Sequence, residues 1–271
     1  MNELEPSVIL DVAIVGAGIA GLAAAISMRR AGHNVTVYER SSFKNEVGAA
    51  INMPPQATRI MRAWDLPLPG PKSGEISNSN GAGGERGDEQ TGTILKLTRR
   101  VDYKTAETMS YECLDDIAER YGAQFVSYHR AELGNRIALR SPVSHIDCQT
   151  GELEVTHFGG RVEVYKHDLL IIADGINTSF IPHFVGREVP LYRSGLTCYR
   201  TLIPTSKILS HSIASRLFVQ RDGSLFGHNG ISGTTNPHTG VYMIAYPCRK
   251  GALMDVAVFD RPREDRIEKN G

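Results

Sequence analysis

The chain has 271 residues, 41% of them hydrophobic, enough to bury one large core or two modest ones. Thirty Lys and Arg side chains balance thirty Asp and Glu, so no overall field draws the protein to nucleic acid or to an anionic membrane. Cys113, Cys148, Cys198 and Cys248 lie far apart with no CxxC pair, which argues against a zinc site or a disulfide framework and for a reducing, cytoplasmic setting. The longest apolar stretch, Val12 to Ile26, follows the acidic start MNELEP. A signal peptide starts with basic residues, and a membrane-spanning helix needs about 20 apolar residues, so neither is expected.

In chain order, Val12 to Val15 reads as a short strand and the alanine-rich Ile19 to Arg30 as a helix stopped by Gly32. Asn34 to Tyr38 reads as a second strand, completing a βαβ unit. Pro54 and Pro55 open a short helix over Thr58 to Trp64, since proline is tolerated in a first turn. Residues 67–93 are rich in Gly, Pro and Ser with almost no apolar anchor and read as a mobile surface loop. Thr108 to Tyr121 is predicted as an amphipathic helix with Leu114, Ile117 and Ala118 on one face. Between Pro142 and Val164, PVSHID and ELEVTHF flank Gln149, Thr150 and Gly151, a hairpin or meander. DLLIIADG is a continuous apolar strand ending on Asp174 and Gly175, and from Leu191 on LTCYRTLIP, RLFVQ, VYMIAYP and LMDVAVF read as β-rich.

Gly16, Gly18 and Gly21 form G-x-G-x-x-G directly after a strand and at the mouth of a helix, the context that gives this motif meaning. The first glycine permits the tight turn, the second lets main chain approach a pyrophosphate, and the third lets helix pack on strand. The helix start then presents unpaired N–H groups and a positive dipole end to phosphate. Glu39 closes the second strand 23 residues after Gly16, near the roughly 20 expected for a carboxylate that hydrogen-bonds ribose. An acid there suits NAD as well as FAD, so the motif alone leaves both open. The histidines show neither HxH nor HExxH spacing, so no metal site is expected, and neither a GxSxG nor a supported cysteine nucleophile occurs.

Three further stretches resemble the FAD-dependent aromatic monooxygenases of the salicylate hydroxylase type, especially those of fungal secondary metabolism. VYERSSFKNEVGAAINMPPQATRIMRAWDL is similar to the family's Glu-Arg pair, small-residue loop and helix, here Glu39, Arg40 and Gly48-Ala49-Ala50. Tyr128-His129-Arg130-Ala131-Glu132-Leu133 resembles its His-Arg-Ala-Asp-Leu, whose arginine contacts FAD. Asp174-Gly175 looks like its Ala-Asp-Gly motif, which serves the FAD and NADPH pyrophosphates. Read without the family, Arg130 is a solvated or salt-bridged cation, and Asp174 with Gly175 a strand-ending turn.

In the β-rich tail, Tyr199-Arg200 and Tyr246-Pro247-Cys248-Arg249-Lys250-Gly251 are similar to the family's Tyr-Arg strand and Tyr-Pro-x-Arg-x-Gly turn. The resemblance implies that Arg200 and Tyr246 hold a substrate phenolate while its electron-rich ring attacks the distal oxygen of a flavin hydroperoxide. On residue chemistry alone, Arg200 is equally a cross-strand ion pair and Tyr246 a half-buried strand tyrosine. The resemblance implies an α/β fold, a Rossmann-like FAD-binding domain of the GR2 flavoprotein hydroxylase type over 1–190 and a β-rich substrate-domain portion over 191–271. It implies FAD as cofactor, NAD(P)H as co-substrate, and a small aromatic substrate and molecular oxygen as partners. The family's later Gly-Asp flavin segment is not found; Gly87-Asp88 lies in the low-complexity loop. The chain therefore reads as a C-terminally truncated member. The alternatives are a non-catalytic protein that binds at most the ADP moiety and an NAD-dependent oxidoreductase, for which neither a Tyr-x-x-x-Lys pair nor a catalytic histidine motif is visible.

Overall fold

The computed structural model describes residues 8–41, 50–66, 68, 92–129, 141–157, 159–192, 194–217 and 230–261, with side chains 129 and 217 excepted. Its strands and main helices are β1 (Asp11–Val15), α1 (Ile19–Arg30), β2 (Asn34–Tyr38), β3 (Ala50–Met53), α2 (Pro55–Ala63), β4 (Thr93–Ile94), β5 (Leu97–Val101), β6 (Thr108–Cys113), α3 (Ile117–Tyr121), β7 (Val126–His129), β8 (Val143–Asp147), β9 (Glu152–Thr156), β10 (Val162–Lys166), β11 (Leu169–Ile172), β12 (Thr197–Pro204), β13 (Gly230–Thr235), β14 (Tyr242–Cys248) and β15 (Leu253–Asp260). Two compact units result, each from two chain segments: Met1–Val47 with Leu133–Tyr192, and Gly48–Glu132 with Arg193–Gly271. Residues 48–132, which the sequence reading grouped with the nucleotide-binding part, thus cluster with the β-rich tail.

In the first unit β1 lies between β11 and β2, parallel to both, with Val12 opposite Leu169 and Val35. Successive side chains of a strand point to opposite faces, and both faces of β1 are covered, so it reads as an unbroken apolar run. Val12 and Ile14 pack with Ala25 of α1, while Ala13 and Val15 pack with Ile146, Leu153 and Val155. Those three residues belong to the antiparallel sheet β10-β9-β8, the meander expected from the sequence. Its first turn is built by Asp147, whose Oδ1 accepts the N–H groups of Gln149 at 2.8 Å and Thr150 at 3.2 Å, a local side-chain turn. Gly32, with φ +88°, ends α1 as a left-handed residue after the helix.

In the second unit a six-stranded sheet runs β12-β15-β14-β13-β5-β6, antiparallel except for β13 against β5, and a three-stranded sheet runs β3-β7-β4. α2 starts on Pro55 as the proline pair implied. The helix expected over Thr108 to Tyr121 is corrected: Thr108–Cys113 is an exposed edge strand paired antiparallel with β5, and only Ile117–Tyr121 is helical. Leu114 and Ile117 are buried against Leu95, not along a continuous helical face. The pairing extends past the strand, because the Leu114 N–H donates to the Lys96 carbonyl at 2.7 Å. A partner strand upstream, Leu97–Val101, overrides a weak helical period. RLFVQ is also corrected in part, since Ala214–Leu217 forms a 3₁₀ turn and 218–220 lie outside the described residues. Most of the expected loop 67–93 lies outside them as well. No helix among the described residues is long and apolar enough to cross a membrane.

Leu153 is 0% exposed and Tyr111 is 71% exposed. Leu153→Ala is expected to lower stability by about 2–5 kcal/mol in urea unfolding, and Tyr111→Ser to change it by under about 0.5 kcal/mol. A large loss with Tyr111→Ser would contradict an exposed edge strand at 108–113.

Candidate functional site

The turn from β1 into α1 is made by the glycines. Gly16 has φ +99°, and a Cβ placed on it would lie 2.5 Å from the Ala173 carbonyl oxygen at the end of β11. A Cβ on Gly21 would lie 1.9 Å from the Gly16 carbonyl oxygen, so helix and turn meet main chain to main chain. Gly18 differs: it is the residue preceding α1, its φ of −68° suits any residue, and a Cβ there would meet nothing within 4 Å. Two glycines are thus required by packing, and the third leaves open space in front of a helix start that no side chain caps.

Glu39 follows β2 and is 8% exposed. Its Oε2 accepts the Ala17 N–H at 2.6 Å and its Oε1 the Ser41 N–H at 2.7 Å. The carboxylate braces the glycine turn while each oxygen retains a lone pair. Tyr38 braces the same turn: its carbonyl accepts the Gly16 N–H at 2.8 Å, and its buried hydroxyl lies 2.9 Å from His167 Nε2. Burial first, then the nearby Tyr165 and Asp11, pushes the Tyr38 phenol up to about 12. A cavity of about 100 Å³ lies here, lined by Gly16, Glu39, Arg40, Asp174, Asn177 and Ser179 among others. It is smaller than the 300–1,000 Å³ of drug-sized ligand sites. Gly175, with φ +91°, turns the chain after Asp174, and its carbonyl accepts the Thr178 N–H at 3.1 Å. The structure therefore brings Gly16, Gly18, Gly21, Glu39, Arg40, Asp174 and Gly175 together in the first unit. Gly48, Ala49 and Arg130 lie outside the described residues.

In the second unit Arg200, Tyr246 and Ala50 meet around a residue that the sequence reading missed, Asp255, which is 0% exposed. Arg200 Nε donates to Asp255 Oδ1 at 2.8 Å and Oδ2 at 3.0 Å, and Nη2 lies 2.8 Å from Oδ2. The Ala50 N–H donates to Asp255 Oδ2 at 2.6 Å. The Ala50 carbonyl accepts from the Tyr246 hydroxyl at 3.2 Å and from Arg200 Nη2, which also donates to the Tyr246 oxygen. The hydrogen bond to Asp255 holds the Arg200 guanidinium above its ordinary pKa. Burial, reinforced by Asp255 and opposed by Arg200, pushes the Tyr246 phenol up to about 12. The cross-strand ion pair that residue chemistry allowed for Arg200 is present. The signal for Asp255 was a lone acid inside the apolar run LMDVAVF, since an acid is almost never fully buried unless paired.

A family model described as pyridine nucleotide-disulphide oxidoreductase matches residues 10–219. The chain belongs to this family. Among curated proteins it is 29% identical over 276 residues to hispidin-3-hydroxylase of Neonothopanus nambi, covering 94% of this chain and 60% of that one. It is 28% identical over 274 residues to the FAD-dependent monooxygenase cfoG of Aspergillus candidus, covering 94% and 57%. Among solved structures, CtdE in complex with FAD and its substrate 4 matches at TM-score 0.68 and 20% identity, over 95% of this chain and 58% of that one. A salicylate hydroxylase substrate complex matches at TM-score 0.60 and 18% identity, over 94% and 57%. The resemblance to FAD-dependent monooxygenases is borne out by these relatives, and the α/β flavoprotein hydroxylase fold by these structures. The chain spans under two thirds of the length of the curated relatives it matches.

Gly21→Ala is expected to destabilise the chain by about 3 kcal/mol, the upper end of overpacking costs. Gly18→Ala is expected to leave urea stability within about 0.5 kcal/mol. Equal losses for the two would show that the open space at Gly18 is not real.

Proposed function

We propose that the chain belongs to an FAD- and NAD(P)H-dependent monooxygenase that hydroxylates a small aromatic, phenolic or polyketide-derived substrate. The observation that carries the reading is the braced glycine turn: packing demands glycine at 16 and 21, whereas of these three motif glycines Gly18 alone faces open space. A turn made only to pack would not need its middle glycine, whereas a pyrophosphate approaching main chain would. In this reading the first-turn N–H groups of α1 receive the pyrophosphate. Glu39 offers its remaining lone pairs to ribose hydroxyls, with Arg40, Asp174 and Gly175 beside it. Ala49, Ala50 and Arg130 are proposed as further FAD contacts on the family resemblance.

The reaction consumes NAD(P)H, molecular oxygen and a proton, inserts one oxygen atom into an aromatic C–H bond, and releases water. Bound FAD supplies the two-electron reduction and the activation of oxygen. Arg200 and Tyr246 are proposed to hold the substrate oxygen. Arg200 Nη1 takes no partner among the described residues and is the guanidinium edge left for a phenolate, while the Tyr246 hydroxyl reaches that oxygen once its proton turns from the Ala50 carbonyl. A reducing, cytoplasmic setting is proposed from the scattered placing of Cys113, Cys148, Cys198 and Cys248 in the sequence.

Calorimetric titration of the purified chain with FAD, NAD and ADP-ribose tests the reading. FAD is expected to bind tightest, and Gly18→Val to abolish its binding while the fold, followed by circular dichroism, is retained. Equal affinity for FAD and ADP-ribose would favour a protein that holds only the ADP moiety, and tighter binding of NAD would favour an NAD-dependent oxidoreductase. Failure to bind any of the three would overturn the proposal.

A further inference from the structure

The cluster around Asp255 is more than a pair. Asp255 and Ala50 are 205 residues apart in sequence, yet both main-chain polar groups of Ala50 are claimed by this cluster: its N–H by Asp255, its carbonyl by Arg200 and Tyr246. Ala50 is the first residue of β3, and its pairing with His129 of β7 begins there. Tyr246 stands directly opposite Asp255 between β14 and β15, and Arg200 lies on β12 two positions along from the residue facing Asp255. Three neighbouring strands of one sheet therefore converge on the first peptide of another.

A fully buried carboxylate is tolerated only when paired and hydrogen-bonded. Here the partners are one guanidinium, which donates from Nε to both oxygens and brings Nη2 within 2.8 Å of Oδ2, and one main-chain N–H. With those two nitrogens occupied, the guanidinium plane is fixed and only Nη1 is left to turn outward. We propose that Asp255 is a positioning residue: it aims Arg200 and clamps the Ala50 peptide, so that Arg200 and Tyr246 present one fixed geometry to the substrate oxygen. The link to substrate rests on the function proposed above; the clamp itself does not.

The test uses the full chain without cofactor, so its outcome is separable from FAD binding. In the unaltered protein the Ala50 amide proton is expected far downfield and slow to exchange, and if it exchanges freely the clamp is overturned without any variant. In Asp255→Asn, amide exchange at Ala50 is expected to quicken by roughly tenfold or more, since a charge-assisted bond is lost. The Tyr246 phenol, followed by ¹³Cζ-tyrosine NMR and assigned with Tyr246→Phe, is expected to titrate about one pH unit or more lower, because Arg200 is then uncompensated. Asp255→Glu, which keeps the charge, is expected to retain a titration close to that of the unaltered chain. A merely structural acid predicts that Asn and Glu variants titrate alike, and that result would overturn the positioning role. Loss of FAD binding with an intact clamp would instead overturn the proposed function alone.

Discussion

The approach of Gly21 to the carbonyl of Gly16 sets the geometry on which the first unit depends. At 1.9 Å from any would-be Cβ, the axis of α1 is brought against the end of β1 as closely as main chain allows. Everything else in the turn follows from that closeness. Gly16 must adopt a left-handed conformation to leave the strand, and the end of β11 presses on it from the other side. The N–H groups exposed by so sharp a turn need partners, and Glu39 and the Tyr38 carbonyl supply two of them at Ala17 and Gly16. The acid that the sequence offers for ribose is thus already a structural part of the turn. The same carboxylate orders the turn on its own, so in the proposed function it would lower the entropy cost of binding.

The second unit depends on a different kind of constraint. Burying Asp255 is unfavourable on its own, and removing one partner of such a pair costs about 3–5 kcal/mol. Its neighbours are therefore coupled: Arg200 cannot swing toward a ligand through Nε or Nη2 without stranding the carboxylate. Tyr246 is held by the same network, and its ring lies under the guanidinium at 5.9 Å. Strand order alone would leave Arg200 free to choose among rotamers, whereas the buried charge selects one.

What could be read from sequence divides along the range of the interactions. The β1-α1-β2 unit, the 143–166 meander and β11 were legible because apolar periodicity, a glycine stop and an Asp-headed turn act over a few residues. The run 108–113 was not, because its partner strand rather than its own pattern decides its state. The discontinuous make-up of the units was equally invisible, since it depends on contacts between segments far apart in the chain. Within the site, the glycines and Glu39 carried a motif with a mechanism. Arg200 and Tyr246 were reached only through resemblance, and Asp255 through neither, although a lone acid in an apolar strand was a visible anomaly.

That anomaly changes how Arg200 should be understood chemically. A guanidinium bound to a buried carboxylate forms a nearly neutral pair, so its pull on a distant phenolate is weaker than that of an isolated cation. What it retains is direction: a hydrogen-bond donor edge at Nη1, held in place by bonds that a substrate need not form. In the proposed function, recognition by such a group would favour a correctly placed oxygen over a merely anionic one. It therefore discriminates by geometry more than by charge. The raised phenol of Tyr246 fits the same logic, because a tyrosine kept protonated to about 12 stays a neutral hydroxyl in the network throughout the pH range in which an ordinary phenol ionises.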